Sequence, residues 1–374
     1  MNRQISQAPL SRSRRPTTLL AAPVLTLALA LALAGGTLPP ARAQEGIKLQ
    51  PPASPAVSER IKDVPAIEAA GVTGLKPGTI LFTDHRDDPT KPENGLVAYL
   101  DWGKLRPGER AALAPHPTYA EPDYVQTLNG VAKRRHETLK VYVAQGRFVV
   151  AKAPESIDLS AYATLGFVAK MDPVIKHKAL NPADATPNKD PAAAFAKRPD
   201  RPWCEVGTTC IESRYDLEGK LPLGVKLANR LEDGASKKIA EFVSFQSELR
   251  TLPPAEIAAL GNLTKVDTPV TGGLEQTIFW VNQILRFGKF LAVFQPMPGD
   301  PGKTVVTTYM ALAIKGDVLD RKQEYARVPV LKNLLPAQVL MGNSSFNTGT
   351  SISAGLPTYA RNRMIAFADA LAKN

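Results

Sequence analysis

The chain has few of the residues from which catalytic and metal sites are usually built. It contains four histidines and two cysteines in 374 residues, and no histidine stands beside a candidate nucleophile. The usual motifs of nucleophilic hydrolases, phosphate-binding loops, dinucleotide-binding folds and zinc proteases are missing from it. A catalytic triad can still assemble from residues far apart in sequence. The sequence nevertheless favours a non-enzymatic protein, and it predicts no cofactor.

Concentrated charge of one sign is also missing. The net charge is +11, but the densest basic run, Lys133 to His136, is followed at once by Glu137. A protein that binds nucleic acid normally carries a concentrated basic face together with groove-reading or aromatic elements. The sequence therefore argues against a nucleic-acid partner and indicates a solvated basic surface.

A long apolar run occurs only near the start of the chain. Four arginines precede an uncharged run of 16 residues, Leu19 to Ala34, and Ala41-Arg42-Ala43 follows it. This order is typical of a secretory signal peptide, and the run is short for the roughly 30 Å of hydrocarbon in a bilayer. We therefore expect residues 1–43 to be removed, leaving a periplasmic or secreted protein of a bacterial envelope without a membrane span. The Sec and twin-arginine routes both stay open.

Cleavage lowers the net charge of the chain, and the sequence around the junction excludes lipid attachment there. The removed segment holds five arginines and no acidic residue, so the net charge falls from +11 to +6. No cysteine lies near the cleavage site. The two cysteines, Cys204 and Cys210, flank a short glycine-containing loop, and in an exported protein this arrangement predicts a disulfide. Neither a zinc site nor a Cys-x-x-Cys redox motif fits the pair.

Proline divides the remaining chain. Residues 44–63 form a predicted flexible lead-in, and residues 64–175 a small α+β domain. Prolines are dense in residues 176–202, which indicates a linker or an extended wrap over the surface. Residues 203–374 are the predicted main α+β domain. The oligomeric state cannot be read from the sequence.

Local patterns predict several elements of the first domain. Thr79 to Thr83 is expected to form a strand, and Pro122 to Arg135 has apolar spacing that a helix could use. The stretches Thr138 to Ala144 and Arg147 to Ala151 are expected to pair as a hairpin that turns at Gln145-Gly146.

The second domain is predicted around an antiparallel meander. Its three strands run from Glu275 to Arg286, Phe290 to Gln295 and Lys303 to Ile314, with a break at Gly288-Lys289. Pro357 to Lys373 is predicted to form an amphipathic helix that starts at Pro357 and has one apolar face, made of Ala360, Met364, Phe367, Ala368 and Leu371. The predicted fold class is α+β, an antiparallel meander sheet with helices on one face and a closing C-terminal helix. This order resembles helix-grip folds, which implies an apolar ligand between sheet and helix.

Both faces of the last meander strand are apolar, and this feature leads to the functional hypothesis. We expect the second domain to bind an apolar or amphipathic small molecule. The candidate ligand-binding residues are the apolar side chains of the meander and the polar side chains of the Ser/Asn-rich loop 342–355 (Trp280, Phe294, Val306, Tyr309, Met310, Asn343, Ser344, Ser345, Asn347 and Thr348).

Two alternatives to ligand binding stay open. The apolar face could instead pack against a partner, as in a structural or interaction module of the periplasm. The loop 342–355 could also serve a hydrolase. The acidic stretch Asp84 to Asp88 with Glu93 is interpreted as a solvated turn, so no metal site is expected.

Overall fold

A mixed sheet of ten strands forms the centre of the computed structural model. The model describes residues 59–72, 74–84, 100–114, 123–128, 131–136, 138–186, 203–216, 242–280, 285–315 and 352–373. All of them belong to one compact unit that spans residues 45–374.

The strands within these ranges are β1 (Ile61–Asp63), β2 (Ile80–Thr83), β3 (Leu100–Asp101), β4 (Asp123–Leu128), β5 (Val131–His136), β6 (Leu139–Val150), β7 (Lys176–Ala179), β8 (Thr209–Asp216), β9 (Phe242–Thr251), β10 (Gly272–Trp280), β11 (Leu285–Met297) and β12 (Asp300–Lys315). The α-helices are α1 (Ile67–Ala70), α2 (Pro107–Leu113), α3 (Leu165–Met171), α4 (Pro254–Ala258), α5 (Gly261–Thr264) and α6 (Ile352–Lys373). Short 3-10 turns link several of these elements.

The main sheet has the order β1-β2-β6-β12-β11-β10-β9-β8-β7, with β3 also paired to β6. Among the strands that the structure describes, β1 and β2 pair in parallel and the other pairs are antiparallel. The meander β10-β11-β12 lies at its centre, and α6 crosses one face. The predicted α+β class, with an antiparallel meander and a closing C-terminal helix, is confirmed. The sheet joins strands from regions 64–175 and 203–374, and β7, from the proline-rich segment between them, is an edge strand.

Alternation along the strands gives the sheet two buried faces. Phe290, Phe294 and Val306 lie on the face beneath α6, which we call the helix face. Leu291 and Tyr309 lie on the opposite face, which is covered by α2, α5 and the segment around the disulfide. The predicted apolarity of both faces of β12 is therefore confirmed, and each face packs against a different layer of the same unit.

Two predicted turns are wrong because the strands run straight through them. The expected hairpin at Gln145-Gly146 is replaced by the continuous strand β6, which pairs with β12 over its full length. A Cβ atom on Gly146 would lie 2.5 Å from Met364 Sδ, so this glycine allows α6 to approach the sheet. Gly288 likewise lies inside β11, where a Cβ would come within 3.1 Å of Ile278 Cδ1. These glycines serve close packing rather than turning.

The predicted helix over Pro122 to Arg135 is also wrong. This stretch forms the hairpin β4-β5, in which Leu128 pairs with Val131. The two residues between them are Asn129-Gly130, which is the strongest short signal for a two-residue hairpin loop. In this stretch the Asn-Gly signal therefore predicted the structure better than the spacing of the apolar residues did. The C-terminal helix was predicted correctly in type, but it begins at Ile352, five residues before Pro357.

Candidate functional site

The structure separates the predicted ligand-binding residues of the meander onto two faces. Phe294, Val306 and Met310 are buried on the helix face beneath α6. Tyr309 is buried on the opposite face, where its hydroxyl donates a hydrogen bond to the Leu263 carbonyl at 3.1 Å. Trp280 is the last residue of β10. Residues Asn343, Ser344, Ser345, Asn347 and Thr348 lie outside the described part of the chain.

Aromatic packing fills the middle of the seam between α6 and the sheet. The ring of Phe367 in α6 makes edge-to-face contacts with Phe148, Phe167, Phe290 and Phe294, at centroid distances of 5.3 to 6.4 Å. Such pairs add about 0.5–1.5 kcal/mol each beyond their area burial. The middle of the seam is therefore held by the protein's own side chains, and space for a ligand has to lie at its ends.

A buried ion pair fixes α6 to the sheet on one side of this cluster. The Arg363 guanidinium pairs with Asp172, donates to the Tyr359 hydroxyl at 2.8 Å and donates to Gln276 Oε1 at 2.5 Å. Gln276 in turn donates to Ser247 Oγ at 3.0 Å. These contacts join α6, β9, β10 and the end of α3 in one polar network.

The charges of this network are set by its partners. Burial disfavours the charged form of Arg363, but Asp172 and Tyr359 outweigh it, so the guanidinium pKa is raised. Burial raises the pKa of the Tyr359 hydroxyl. Within the described residues, Arg363 Nε and Asp172 Oδ1 have no hydrogen-bond partner. The charges of Arg363 and Asp172 therefore cancel within the network that fixes α6 to the sheet, and one donor and one acceptor of this pair are left unused.

A histidine–serine pair lies beside this anchor. His177 Nδ1 and Ser213 Oγ are 2.8 Å apart, which is hydrogen-bonding distance. Burial lowers the pKa of His177 against the opposing effect of Asp172, which favours the neutral imidazole. A neutral histidine could act as a base toward serine. Ser213 is fully buried, however, so a substrate could not reach its hydroxyl in this conformation.

An open cleft lies at the C-terminal end of α6. It has a volume of about 210 Å³ and separates the last turns of α6 from β2 and the end of β6. Its apolar lining includes Ile80, Phe148, Val150 and Ala368. All four belong to the apolar cluster that also contains Phe367. These four side chains are almost fully buried, so the cleft borders the seam between helix and sheet, and its accessible lining includes the exposed Ala151 and Ala372.

Charged side chains stand at the rim of the cleft. Arg60 Nη1 pairs with Asp369 Oδ1 at 2.8 Å, and Arg60 Nε donates to the Gly78 carbonyl at 3.2 Å. Lys152 also lines the cleft, and its Nζ donates to the Leu371 carbonyl at 3.4 Å. An apolar floor with a polar rim is the usual composition of a small-molecule site. The cleft has this composition at a volume of about 210 Å³, below the range of about 300–1,000 Å³ that is usual for such sites, so it suits only a short apolar segment of an amphipathic molecule.

Sequence reasoning did not identify the residues of this cleft. Arg60, Lys152 and Asp369 are far apart in sequence, and each stands in an unremarkable local context. The apolar face of α6 was recognised, since Ala360, Met364, Phe367, Ala368 and Leu371 were predicted to share it and all are buried. The apolar face of α6 therefore indicated which side of the helix contacts the sheet, but it did not indicate that a cleft lies at the C-terminal end of this contact.

The predicted disulfide is confirmed. Cys204 and Cys210 are bonded, with a Cα–Cα distance of 5.6 Å. The Cys204 backbone amide donates to the buried Glu248 carboxylate at 3.1 Å, and the neighbouring Trp203 ring packs on Phe279. The bond therefore fixes a loop against the opposite face of the sheet.

The described ranges contain neither a cluster of metal-binding side chains nor a helix that could span a membrane. No group of three or more His, Cys, Asp or Glu side chains there could hold a metal ion. Of the acidic stretch near Asp84, only Asp84 itself is described, and it is buried at the end of β2. No helix in these ranges combines the length and apolar composition needed to cross a bilayer.

Comparisons with known proteins assign no family to this chain. No family model matches it, and no curated protein matches it. Among solved structures, the human StarD13 (DLC2) lipid transfer and protein localization domain is similar over 61% of this chain and 90% of that domain. The sequence identity is 10% and the TM-score is 0.22, which is too low to assign a shared fold.

Proposed function

We propose that this protein is an exported, non-enzymatic envelope protein that binds an apolar or amphipathic small molecule at the seam between α6 and the sheet. The observation that carries the proposal is the cleft of about 210 Å³ whose apolar floor is continuous with the buried cluster around Phe367. The sequence predicted a binding region between the meander and α6. The cleft lies beneath the same helix but over β2 and β6, beside the meander.

Burial of an alkyl chain supplies the binding free energy. Each methylene transferred from water to an apolar site contributes about 0.8 kcal/mol. Affinity should therefore rise with chain length until the cleft is filled and then level off. Phe148 lines the cleft and packs edge-to-face on Phe367, so the cluster around Phe367 limits how deep an alkyl chain can lie.

Titration calorimetry with 1-hexanol, 1-octanol and 1-decanol tests this proposal. We expect the affinity to increase along the series and Ala372→Trp to weaken 1-decanol binding about tenfold, because residue 372 lines the cleft. Ala169→Trp is the matched control, since Ala169 is an exposed helical alanine in α3 that does not line the cleft. Absence of alcohol binding, or equal binding by the Ala372→Trp variant, would refute the assignment.

Export is supported by the disulfide, because disulfides persist mainly in oxidising compartments. Expression of the full chain in a bacterial host, followed by N-terminal sequencing of the periplasmic protein, tests this part. The mature protein should begin at Gln44. An intact N-terminus or a cytoplasmic location would contradict it.

Retention of a natural ligand is tested separately. Native mass spectrometry after gentle purification should show added mass of a lipid-like molecule, and Ala372→Trp should reduce the bound fraction. A ligand that stays fully bound to Ala372→Trp would place the binding site elsewhere in the molecule.

A further inference from the structure

The two cations at the rim of the cleft differ in what they already bind. Arg60 is committed to Asp369 and to the Gly78 carbonyl. Among the described residues, the Lys152 ammonium pairs with no carboxylate, and its hydrogen bond to the Leu371 carbonyl is long at 3.4 Å. An ammonium group has three donors. Lys152 is therefore a half-buried cation that keeps donors available beside an apolar floor.

We propose that the ligand of this cleft carries an anionic head, a carboxylate or a phosphate, that binds Lys152 while its alkyl chain lies on Phe148, Val150 and Ala368. This inference rests on the proposed function, since it names the chemical class of the molecule that the cleft binds. The other charges at the rim do not oppose it, because Arg60 neutralises Asp369.

The C-terminal end of α6 would disfavour an anionic ligand head group if Lys152 were absent. The cleft is lined by the last turns of this helix, whose C-terminal carbonyls carry a partial negative charge. Without a cation, that charge would favour a neutral or cationic head over an anion. The Lys152 ammonium donates a hydrogen bond to the Leu371 carbonyl, so the local charge at this end of the cleft is positive. Removing its charge should therefore change the order of ligand preference and not merely weaken every ligand.

Competition among C10 ligands of equal chain length measures this preference. In the wild-type protein, decanoate and decyl phosphate should bind about fivefold or more tighter than 1-decanol, and decylamine more weakly than 1-decanol. In Lys152→Met the anions should lose this advantage, while 1-decanol affinity stays within about twofold, which also shows that the variant is folded. Lys152→Arg should restore the preference for anions.

Lys170→Met is the matched control, because it removes the same charge from an exposed position in α3 that does not line the cleft. It should leave the order of ligands unchanged. If 1-decanol binds but equals the anions, or if Lys152→Met keeps their advantage, the assignment of the head group is overturned and the apolar site stands. If no C10 ligand binds the wild-type protein, the proposed function itself fails.

Discussion

Arg147 is a fully buried cation that binds backbone oxygens rather than a carboxylate. Its guanidinium donates to the carbonyls of Ile67 and Gly71 at 3.1 and 2.9 Å and to the Thr264 carbonyl at 2.5 Å. It also donates to Thr307 Oγ1 at 3.2 Å. Burial lowers the pKa of Arg147. The side chain joins the ends of α1 and α5 to the centre of the sheet, where carbonyls lack helical partners.

Replacing this side chain leaves buried carbonyls without donors. We expect Arg147→Met to lower the free energy of unfolding by about 3 kcal/mol or more, measured by urea denaturation. Arg110→Met is the control, because Arg110 also donates to a carbonyl, that of Gly103 at 3.1 Å, but in an exposed contact. Its cost should stay below about 1 kcal/mol. Equal costs for the two variants would show that Arg147 does not hold these segments together.

A second buried charge, Glu275, makes stability depend on pH. Its carboxylate pairs with Lys289 Nζ at 2.5 Å and Arg250 Nη2 at 2.7 Å. Burial alone would raise the pKa of Glu275, but these two cations outweigh it, so the pKa lies below its ordinary value of 4.5. The ionised form therefore stabilises the fold above pH 4.5. That contribution is lost as the pH falls from 4.5 through the folded-state pKa.

Glu275→Gln should remove this contribution. The variant is expected to be less stable than the wild type at pH 7, because Lys289 loses its buried partner. Its free energy of unfolding should also fall less steeply between pH 4.5 and pH 3, as measured by denaturant titrations at each pH. Parallel slopes for the two proteins in this window would exclude Glu275 as a source of the acid sensitivity.

At the scale of elements, the approach of α6 to the sheet is set by small residues. Gly146 lies where a Cβ atom would be 2.5 Å from Met364 Sδ and 2.9 Å from Thr308 Oγ1. The hydroxyl of Thr308 donates to the Gly146 carbonyl at 3.2 Å. An added methyl group would therefore force Met364 and the helix outward. The cleft at the C-terminal end of α6 would change with it, since Ala368 in its lining follows Met364 by about one helical turn.

Gly146→Ala is expected to destabilise the protein by about 1–3 kcal/mol through overpacking. Adding Met364→Ala should relieve part of this cost, so the double variant should be more stable than the sum of the single changes by about 1 kcal/mol. Thermal and urea unfolding measure both the cost of Gly146→Ala and the extra stability of the double variant. Gly166→Ala is the control, because a Cβ there meets no neighbour within 4 Å and alanine favours the helix α3. Strict additivity would mean that Gly146 does not set the contact.

At the scale of the whole molecule, one sheet crosses the boundary that proline density marks at residues 176–202. β12 pairs with β6 at twelve successive positions, from Thr304 with Val150 to Lys315 with Leu139. Removing β6 would expose this edge of β12 together with apolar side chains on both faces. An open apolar edge of this length favours aggregation over a monomeric fold.

Residues 203–374 alone are therefore expected to be insoluble or to lack a cooperative unfolding transition. Co-expression with residues 44–202 should restore a soluble complex that unfolds in one step. Gel filtration and near-ultraviolet circular dichroism report the two properties. A monomeric 203–374 fragment with a cooperative transition would show that the second region folds independently and would support the predicted domain division.

Patterns within about twenty residues determined much of this protein. Alternating β-branched and aromatic residues predicted the meander, and the spacing from Ala360 to Leu371 predicted the buried side of α6, because strand and helix periodicities place side chains locally. The spacing of Cys204 and Cys210 predicted their bond. Local patterns predicted turns at Gly146 and Gly288. Both predictions are wrong, because the role of these glycines depends on the side chains that pack against them.

Only the tertiary structure decided which distant groups meet. The pairing of Arg363 with Asp172, the four donations of Arg147 and the cleft rim of Arg60, Lys152 and Asp369 join residues from separate parts of the chain. No local periodicity encodes such contacts, because they depend on the order of strands in the sheet and on where α6 ends. The sequence therefore determined a two-faced sheet and its closing helix, and the packing of the two decided where a ligand could enter.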